Sequence, residues 1–243
     1  FIAITVTAHE PEPVSADAVT FGVDFDSGRI IADLACGKNT PVSVLGQIKL
    51  VEGLRGQALL CGEGGAKLIF SMPENLNFDR PGSVSFWFYP EDWHHNAMAS
   101  RIFLFGIECS KGFVGIQVDS GPKGVFPCDR KLNLILLYFK DIKDASLELP
   151  PVGTTGERQW HLLVASWSSD TVFMSFDGKP YAAKKLNGQL HGELFPGRTF
   201  SLGTNIHDQY RLDEFRIYRH KLDETEIRQL WTGRGLEDKR KKI

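Results

Sequence analysis

Residues 83–90 read Ser-Val-Ser-Phe-Trp-Phe-Tyr-Pro. Side chains alternate across a β-strand, so Val84, Phe86 and Phe88 share one face while Ser85, Trp87 and Tyr89 share the other. Large apolar groups on both faces need cover on both sides, which makes this a central strand of a layered sheet. A chain built round such a strand must supply the layers. Further extended runs stand at Phe21–Phe25, Val42–Val51, Lys67–Met72, Arg101–Ile107, Phe113–Val118, Leu132–Phe139, Phe200–Gly203 and Tyr210–Tyr218. Trp160–Trp167 and Thr171–Phe176 form a predicted hairpin across Ser168-Ser-Asp170, and Asp177-Gly178 opens the next turn. The 17 Phe and 24 Gly fit many short aromatic strands divided by tight turns. Strands at this spacing predict an all-β sandwich or barrel.

One helix is predicted over 223–232. Asp223 stands at the N-cap, with Glu226 three residues on as its capping-box partner. Leu222 and Ile227 form a hydrophobic staple, and Ile227, Leu230 and Trp231 share one face. Gly233 suits the left-handed position that ends a helix. The predicted organisation is a first strand and Pro-rich, acidic linker over 1–18, one domain over 19–233, and a charged tail over 234–243. Phe1–Ala8 reads as a bare first strand rather than a signal remnant, being short, β-branched and alternating.

A net charge of −2 argues against a nucleic-acid partner, which needs a basic patch. No apolar run approaches the ~20 residues that span a bilayer. Cys36, Cys61, Cys109 and Cys128 contain no C-x-x-C pair, so a zinc ribbon or thioredoxin-like site is excluded. Their even number leaves both disulfides and reduced core thiols open.

Three segments in order resemble the laminin-G-like members of the concanavalin-A-like lectin/glucanase superfamily. They are Arg80-Pro-Gly-Ser-Val-Ser-Phe-Trp-Phe-Tyr-Pro90, then Gln159–Trp167 running on to Phe176-Asp-Gly-Lys179, then the closing stretch Leu212–Ile227. The resemblance covers about 19–232. It implies a jelly-roll β-sandwich of two antiparallel sheets, one of them concave, with one short C-terminal helix. It also implies an exported protein, extracellular or periplasmic.

Asp213 shares a strand face with Phe215 and Ile217, where an acid is costly unless paired or metal-bound. The resemblance implies a structural calcium at this acidic position, with Asp24 or Asp26 as the N-terminal ligand and the Gly56 carbonyl as a further donor. The alternative is that Asp213 caps a strand end or pairs with an arginine. Two loops are candidate carbohydrate contacts, because recognition residues concentrate on loops held by a rigid scaffold. In Glu91–Asn96, Trp93 offers a stacking face and His94, His95 and Asn96 offer hydrogen bonds; in Asn205–Tyr210, Asp208 and Tyr210 do the same. The competing reading tucks Trp93 over the sandwich edge as packing. The His94-His95 pair lacks a third ligand at metal spacing.

The chain contains no H-E-x-x-H, G-x-S-x-G, P-loop or G-x-G-x-x-G. The Glu-x-Asp-x-x-Glu strand of some glycoside hydrolases of this superfamily is also missing, and no other carboxylate pair is spaced to flank a glycosidic bond. These features predict a non-catalytic carbohydrate-binding or adhesive module. Its rivals are a protein–protein scaffolding domain and a glycoside hydrolase or lyase with an unfamiliar acid/base pair.

Overall fold

The computed structural model describes residues 15–91, 101–109, 112–119, 130–137, 145–152, 158–206 and 208–233. The predicted central strand is β7 (Gly82–Pro90). The strands before it are β1 (Val19–Val23), β2 (Leu34–Ala35), β3 (Ser43–Gly46), β4 (Leu50–Glu52), β5 (Gln57–Cys61) and β6 (Ala66–Ser71). After it come β8 (Arg101–Cys109), β9 (Gly112–Asp119), β10 (Arg130–Leu137), β11 (Ala145–Val152), β12 (His161–Trp167), β13 (Thr171–Phe176), β14 (Ala182–Lys185), β15 (Thr199–Leu202) and β16 (Tyr210–Tyr218). They make two antiparallel sheets. The first runs β14-β13-β12-β7-β16-β1-β2, with β5 and then β4 joined to β16; the second runs β11-β10-β9-β8-β15-β6-β3. Each sheet is hydrophobic toward the other, as a jelly-roll sandwich requires.

β7 has the two covered faces its sequence demands. Val84, Phe86 and Phe88 enter the core between the sheets. Phe21 and Phe215 come from the first sheet, Phe70 and Phe200 from the second. The Phe21 ring meets Phe70 and Phe200 edge-on at 4.9 and 5.2 Å, the geometry the aromatic quadrupole favours. On the outer face Trp87 packs with Leu162, Val164 and Tyr218 beneath α1 (Glu224–Trp231), which contributes Ile227 and Leu230.

The helix has both capping-box bonds: Glu226 N–H donates to Asp223 Oδ1 at 2.8 Å, and Asp223 N–H donates to Glu226 Oε2 at 2.7 Å. Leu222 and Ile227 close the staple in the outer cluster. Trp231 stays partly exposed, stacked on Trp87 with ring centroids 5.3 Å apart. The predicted run Val42–Val51 is two strands in different sheets, β3 against β6 and β4 against β5. Gly46, at φ +86°, makes the break; a Cβ there would overlap the Gly65 carbonyl oxygen.

Cys36 is free and exposed; Cys61 is free and buried, and burial pushes its thiol up to about 12. No helix among the described residues is long and apolar enough to cross a membrane.

Candidate functional site

β16 changes neighbours along its length. Tyr210, Arg211 and Leu212 pair with β5, while residues 215–218 pair with β1. The register against β7 slips between Asp213 and Arg216, and Glu214 adopts φ +50°. This bulge turns Asp213 into the gap where β5 and β1 diverge. Its carboxylate grips the β4–β5 turn: Oδ2 accepts from Leu54 N–H at 2.8 Å and Arg55 N–H at 3.4 Å, and Oδ1 accepts from Glu214 N–H at 2.7 Å. Asp26 grips the same turn through Gln57 N–H, which donates to its Oδ1 at 2.9 Å. A Cβ on Gly56 would overlap that Asp26 carboxylate, so only glycine fits there. Asp24 lies one step outward. Its Oδ1 accepts from Asp26 N–H at 3.0 Å, and its own N–H donates to Asp33 at 3.1 Å.

Asp213 is 0% exposed. Burial first, and then the neighbouring Glu214 charge, push its carboxyl up to about 8, against the pull of the three N–H donors. The Glu214 carboxylate pairs with Arg216 at 2.7 Å, so that guanidinium serves Glu214 rather than Asp213. Burial and the Asp33 charge likewise raise Asp24, to about 6, although the Asp26 N–H opposes the rise. The Asp26 and Asp213 carboxylates therefore converge on one turn, in which the Gly56 carbonyl accepts from Gly53 N–H at 3.0 Å, and hard carboxylate oxygens of this kind suit calcium. Three N–H groups already occupy most of Asp213's acceptor capacity. A cation would also draw on Asp26 and on turn carbonyls, because among the described residues no three Asp, Glu, His or Cys side chains gather as a metal set.

Trp93, His94, His95 and Asn96 lie outside the described residues. Tyr210 differs from the expectation of a stacking residue. It is fully buried in the core, its hydroxyl donates to Phe103 O at 2.6 Å, and no ring face is open to a sugar. β16 begins at Tyr210 and turns the ring inward, which loop position in the sequence does not reveal. Asp208 is also buried, so it is not the exposed loop acceptor expected of it.

The structure brings together a set of residues with no sequence pattern. The β6–β7 connection and the segment before β15 enclose a groove of about 520 Å³ at the end of the sandwich. Pairing of β6 with β15 makes this inevitable: Thr199 stands opposite Ser71, so residues 72–79 and 192–198 emerge side by side. Asp79 Oδ1 accepts from Gly192 N–H at 2.8 Å and ties the two walls. Met72, Leu76, Phe78 and Phe195 are buried beneath, with Phe78 and Phe195 rings 4.6 Å apart. Glu74, Asn77, Asp79, Glu193 and Arg198 are exposed round the rim. Among the described residues the Glu74, Glu193 and Arg198 side chains make no hydrogen bond or ion pair, and so stand ready for a ligand. The groove is half-open, with an apolar floor under an exposed polar rim.

A family model described as the concanavalin A-like lectin/glucanases superfamily, of laminin-G type, matches residues 63–228. No curated protein is matched by sequence. Among solved structures, the binding domain of Paraclostridial Mosquitocidal Protein 1 superposes with a TM-score of 0.67 at 16% identity, covering 89% of this chain and 52% of its own. The binding domain of Botulinum Neurotoxin DC in complex with SialylT gives 0.67 at 16% identity, covering 89% and 51%. A structure of botulinum neurotoxin type C, whose cell entry depends upon interaction with two ganglioside molecules, gives 0.65 at 17% identity, covering 89% and 51%. The chain thus spans about half the length of these structures. At such identities the likeness is one of fold.

Proposed function

Because the chain belongs to the concanavalin A-like lectin/glucanases superfamily, we propose that it is a non-catalytic carbohydrate-binding module of an exported protein, extracellular or periplasmic. The observation that carries this reading is the groove, with its unengaged Glu74, Glu193 and Arg198 over an apolar floor. Carboxylates accept from sugar hydroxyls, and the Arg198 guanidinium and Asn77 amide donate to them. The neighbouring toxin domains support it at the level of fold, since one was solved with SialylT and another concerns a toxin that needs gangliosides. Trp93, His94 and Asn96 remain part of the proposal as a second contact loop.

Catalysis is not part of the proposal. A glycosidase's acid must hold its proton until the bond breaks, which burial commonly secures. Glu74, Asp79 and Glu193 are all exposed. The proposal includes one structural calcium held by Asp26, Asp213 and the Gly56 carbonyl, where it would neutralise buried charge and fix the β4–β5 turn.

The test is a glycan array followed by calorimetric titration of the best hit into wild type and Glu193→Ala. Loss of one hydrogen bond to a charged group is worth about 1.5–3 kcal/mol, so affinity should fall about tenfold or more. Melting should be unchanged, because among the described residues the exposed Glu193 side chain makes no hydrogen bond or ion pair. An array with no hit would remove the carbohydrate reading. Release of reducing sugar from polysaccharide mixtures would move the protein to the hydrolases.

A further inference from the structure

Two residues on the groove rim hold a backbone conformation that disfavours any side chain with a Cβ. Glu74 has φ +66° and Arg198 has φ +49°, in the left-handed region that glycine enters freely. Phe25, Asp177 and Glu214 share this region, and each has a use for its side chain within the fold. Phe25 is buried in the core, Asp177 Oδ2 lies 2.9 Å from His161 Nδ1, and Glu214 pairs with Arg216. Glu74 and Arg198 have no such return, being exposed and unengaged among the described residues. The backbone is fixed where the two walls meet: Met72 N–H donates to Arg198 O at 2.7 Å, and Arg198 N–H donates to Phe195 O at 3.1 Å. Glycine at either position would keep the turn without the strain. A strained residue whose side chain serves nothing in the fold points to a ligand. The charge round the rim is also one-sided, with Glu74, Asp79 and Glu193 against Arg198 alone. Among the described residues no ion pair joins Arg198 to any of them, and Asp79 is already engaged with Gly192 N–H.

We propose that the groove selects an amino sugar carrying a free ammonium, with Glu74 and Glu193 reading the charge and Arg198 a hydroxyl or ring oxygen. The proposal rests on the reading of the groove as a carbohydrate site and adds the sign of the ligand's charge. The ammonium of such a sugar sits beside its ring hydroxyls. Carboxylates that attract the one therefore accept from the others, while the guanidinium has only donors and needs an oxygen. An acidic sugar meets Glu74 and Glu193 as like charges, with one guanidinium to offset them. An N-acetylated sugar brings no charge to either. An exposed ion pair is worth up to about fivefold in affinity, so the two carboxylates together set a preference of about tenfold for the ammonium form.

Calorimetric titration of matched trimers of glucosamine, N-acetylglucosamine and galacturonic acid into the full chain tests it. The glucosamine trimer should bind about tenfold more tightly than the acetylated one, with the acidic trimer weakest, and raised salt should shrink the difference. Glu74→Gly and Glu193→Gln should each cut the preference about threefold. Glu63→Gln makes the same change of charge at the other end of β6 and should leave the preference intact. Glu74→Gly should also melt no lower than wild type, because relief of the left-handed backbone offsets the freedom glycine adds to the unfolded chain. A Glu74→Gly variant that melts well below wild type gives the side chain a role in the fold and overturns the proposal. So does an acetylated or acidic trimer that binds as tightly as the glucosamine trimer, which leaves the carbohydrate reading standing. A preference that Glu63→Gln lowers as much as Glu193→Gln belongs to the net charge of the protein, and overturns the groove as its source. If none of the three trimers binds, the carbohydrate reading falls and takes the inference with it. Trilysine that binds more tightly than the glucosamine trimer assigns the groove to a basic peptide and overturns the proposal too.

Discussion

Replacing Asp213 by alanine removes the acceptor for three backbone N–H groups at the point where β16 changes partners. Two of these bonds are short, 2.8 Å from Leu54 and 2.7 Å from Glu214, and the third, from Arg55, is 3.4 Å. A buried donor left unsatisfied costs about 1–3 kcal/mol. Leu54 and Arg55 are only half-buried, so water recovers part of their loss, while Glu214 is buried. Against this, alanine relieves a carboxylate that burial has pushed up to about 8. The net loss should be about 2–4 kcal/mol, or about 5–15 °C in Tm for a domain of this size. Asp213→Asn keeps one acceptor and the shape of the side chain, and should lose less than half as much. The pH dependence has a definite sign. A carboxyl whose folded pKa lies above its unfolded value binds more protons when folded, so its contribution is present below pH ~4 and is lost as pH rises through about 8. In chelator, wild-type Tm should therefore decline from pH ~5 to ~9 by more than that of Asp213→Asn. Calcium that binds only the folded state should raise wild-type Tm, by about 2.7 kcal/mol of stability at a hundredfold excess over Kd, and leave Asp213→Ala unmoved. Thermal melts followed by circular dichroism at each pH, with calcium and with chelator, read all of this. If Asp213→Ala in chelator melts with wild type, the bulge does not depend on this carboxylate and the reasoning is wrong. If calcium alone has no effect, the metal is lost and the hydrogen-bonded junction stands.

Gly178→Val should destabilise the domain by at least about 2 kcal/mol, since it combines φ +69° with a Cβ only 2.7 Å from the Trp231 ring; denaturation followed by tryptophan fluorescence measures it. Asp223→Ala, which removes the acceptor for Glu226 N–H and leaves the backbone N–H of residue 223 bonded to Glu226, should cost about 1 kcal/mol by urea unfolding. Tyr210→Ala should cost about 3–5 kcal/mol as a core cavity and leave any glycan affinity of the folded fraction unchanged; a loss of binding without destabilisation would return Tyr210 to a ligand site. Asp24 is raised to about 6, so its ionisation works against folding and Asp24→Asn should flatten the fall in stability between pH ~4 and ~6, as melts across that window would reveal.

Much of the architecture was legible in single segments. The doubly apolar pattern of 83–90 demanded two covered faces, and β7 has the sandwich core on one and the α1 layer on the other. The helix start needed only Leu222, Asp223, Glu226 and Ile227, because caps and staples are contacts between residues close in sequence. Asp213 was conspicuous as an acid on an apolar face, and it is buried at the junction as the acceptor of three backbone N–H groups. What it binds was another matter. The N–H donors come from residues 54 and 55, about 160 positions away, and no local pattern reports them.

The groove was invisible for the same reason. Glu74 and Glu193 are ordinary exposed acids in ordinary loops until β6 and β15 pair and set their loops side by side. Tyr210 shows the reverse error, because a tyrosine ending a polar loop looks available until strand register turns it into the core. The sequence by itself determined which segments become strands, where the helix begins and that two sheets must stack, since those follow from side-chain period and local hydrogen bonding. Only the tertiary structure decided which loops meet and which acid faces which turn. Those are outcomes of register and long-range pairing, where a shift of one residue along a strand exchanges the buried face for the exposed one.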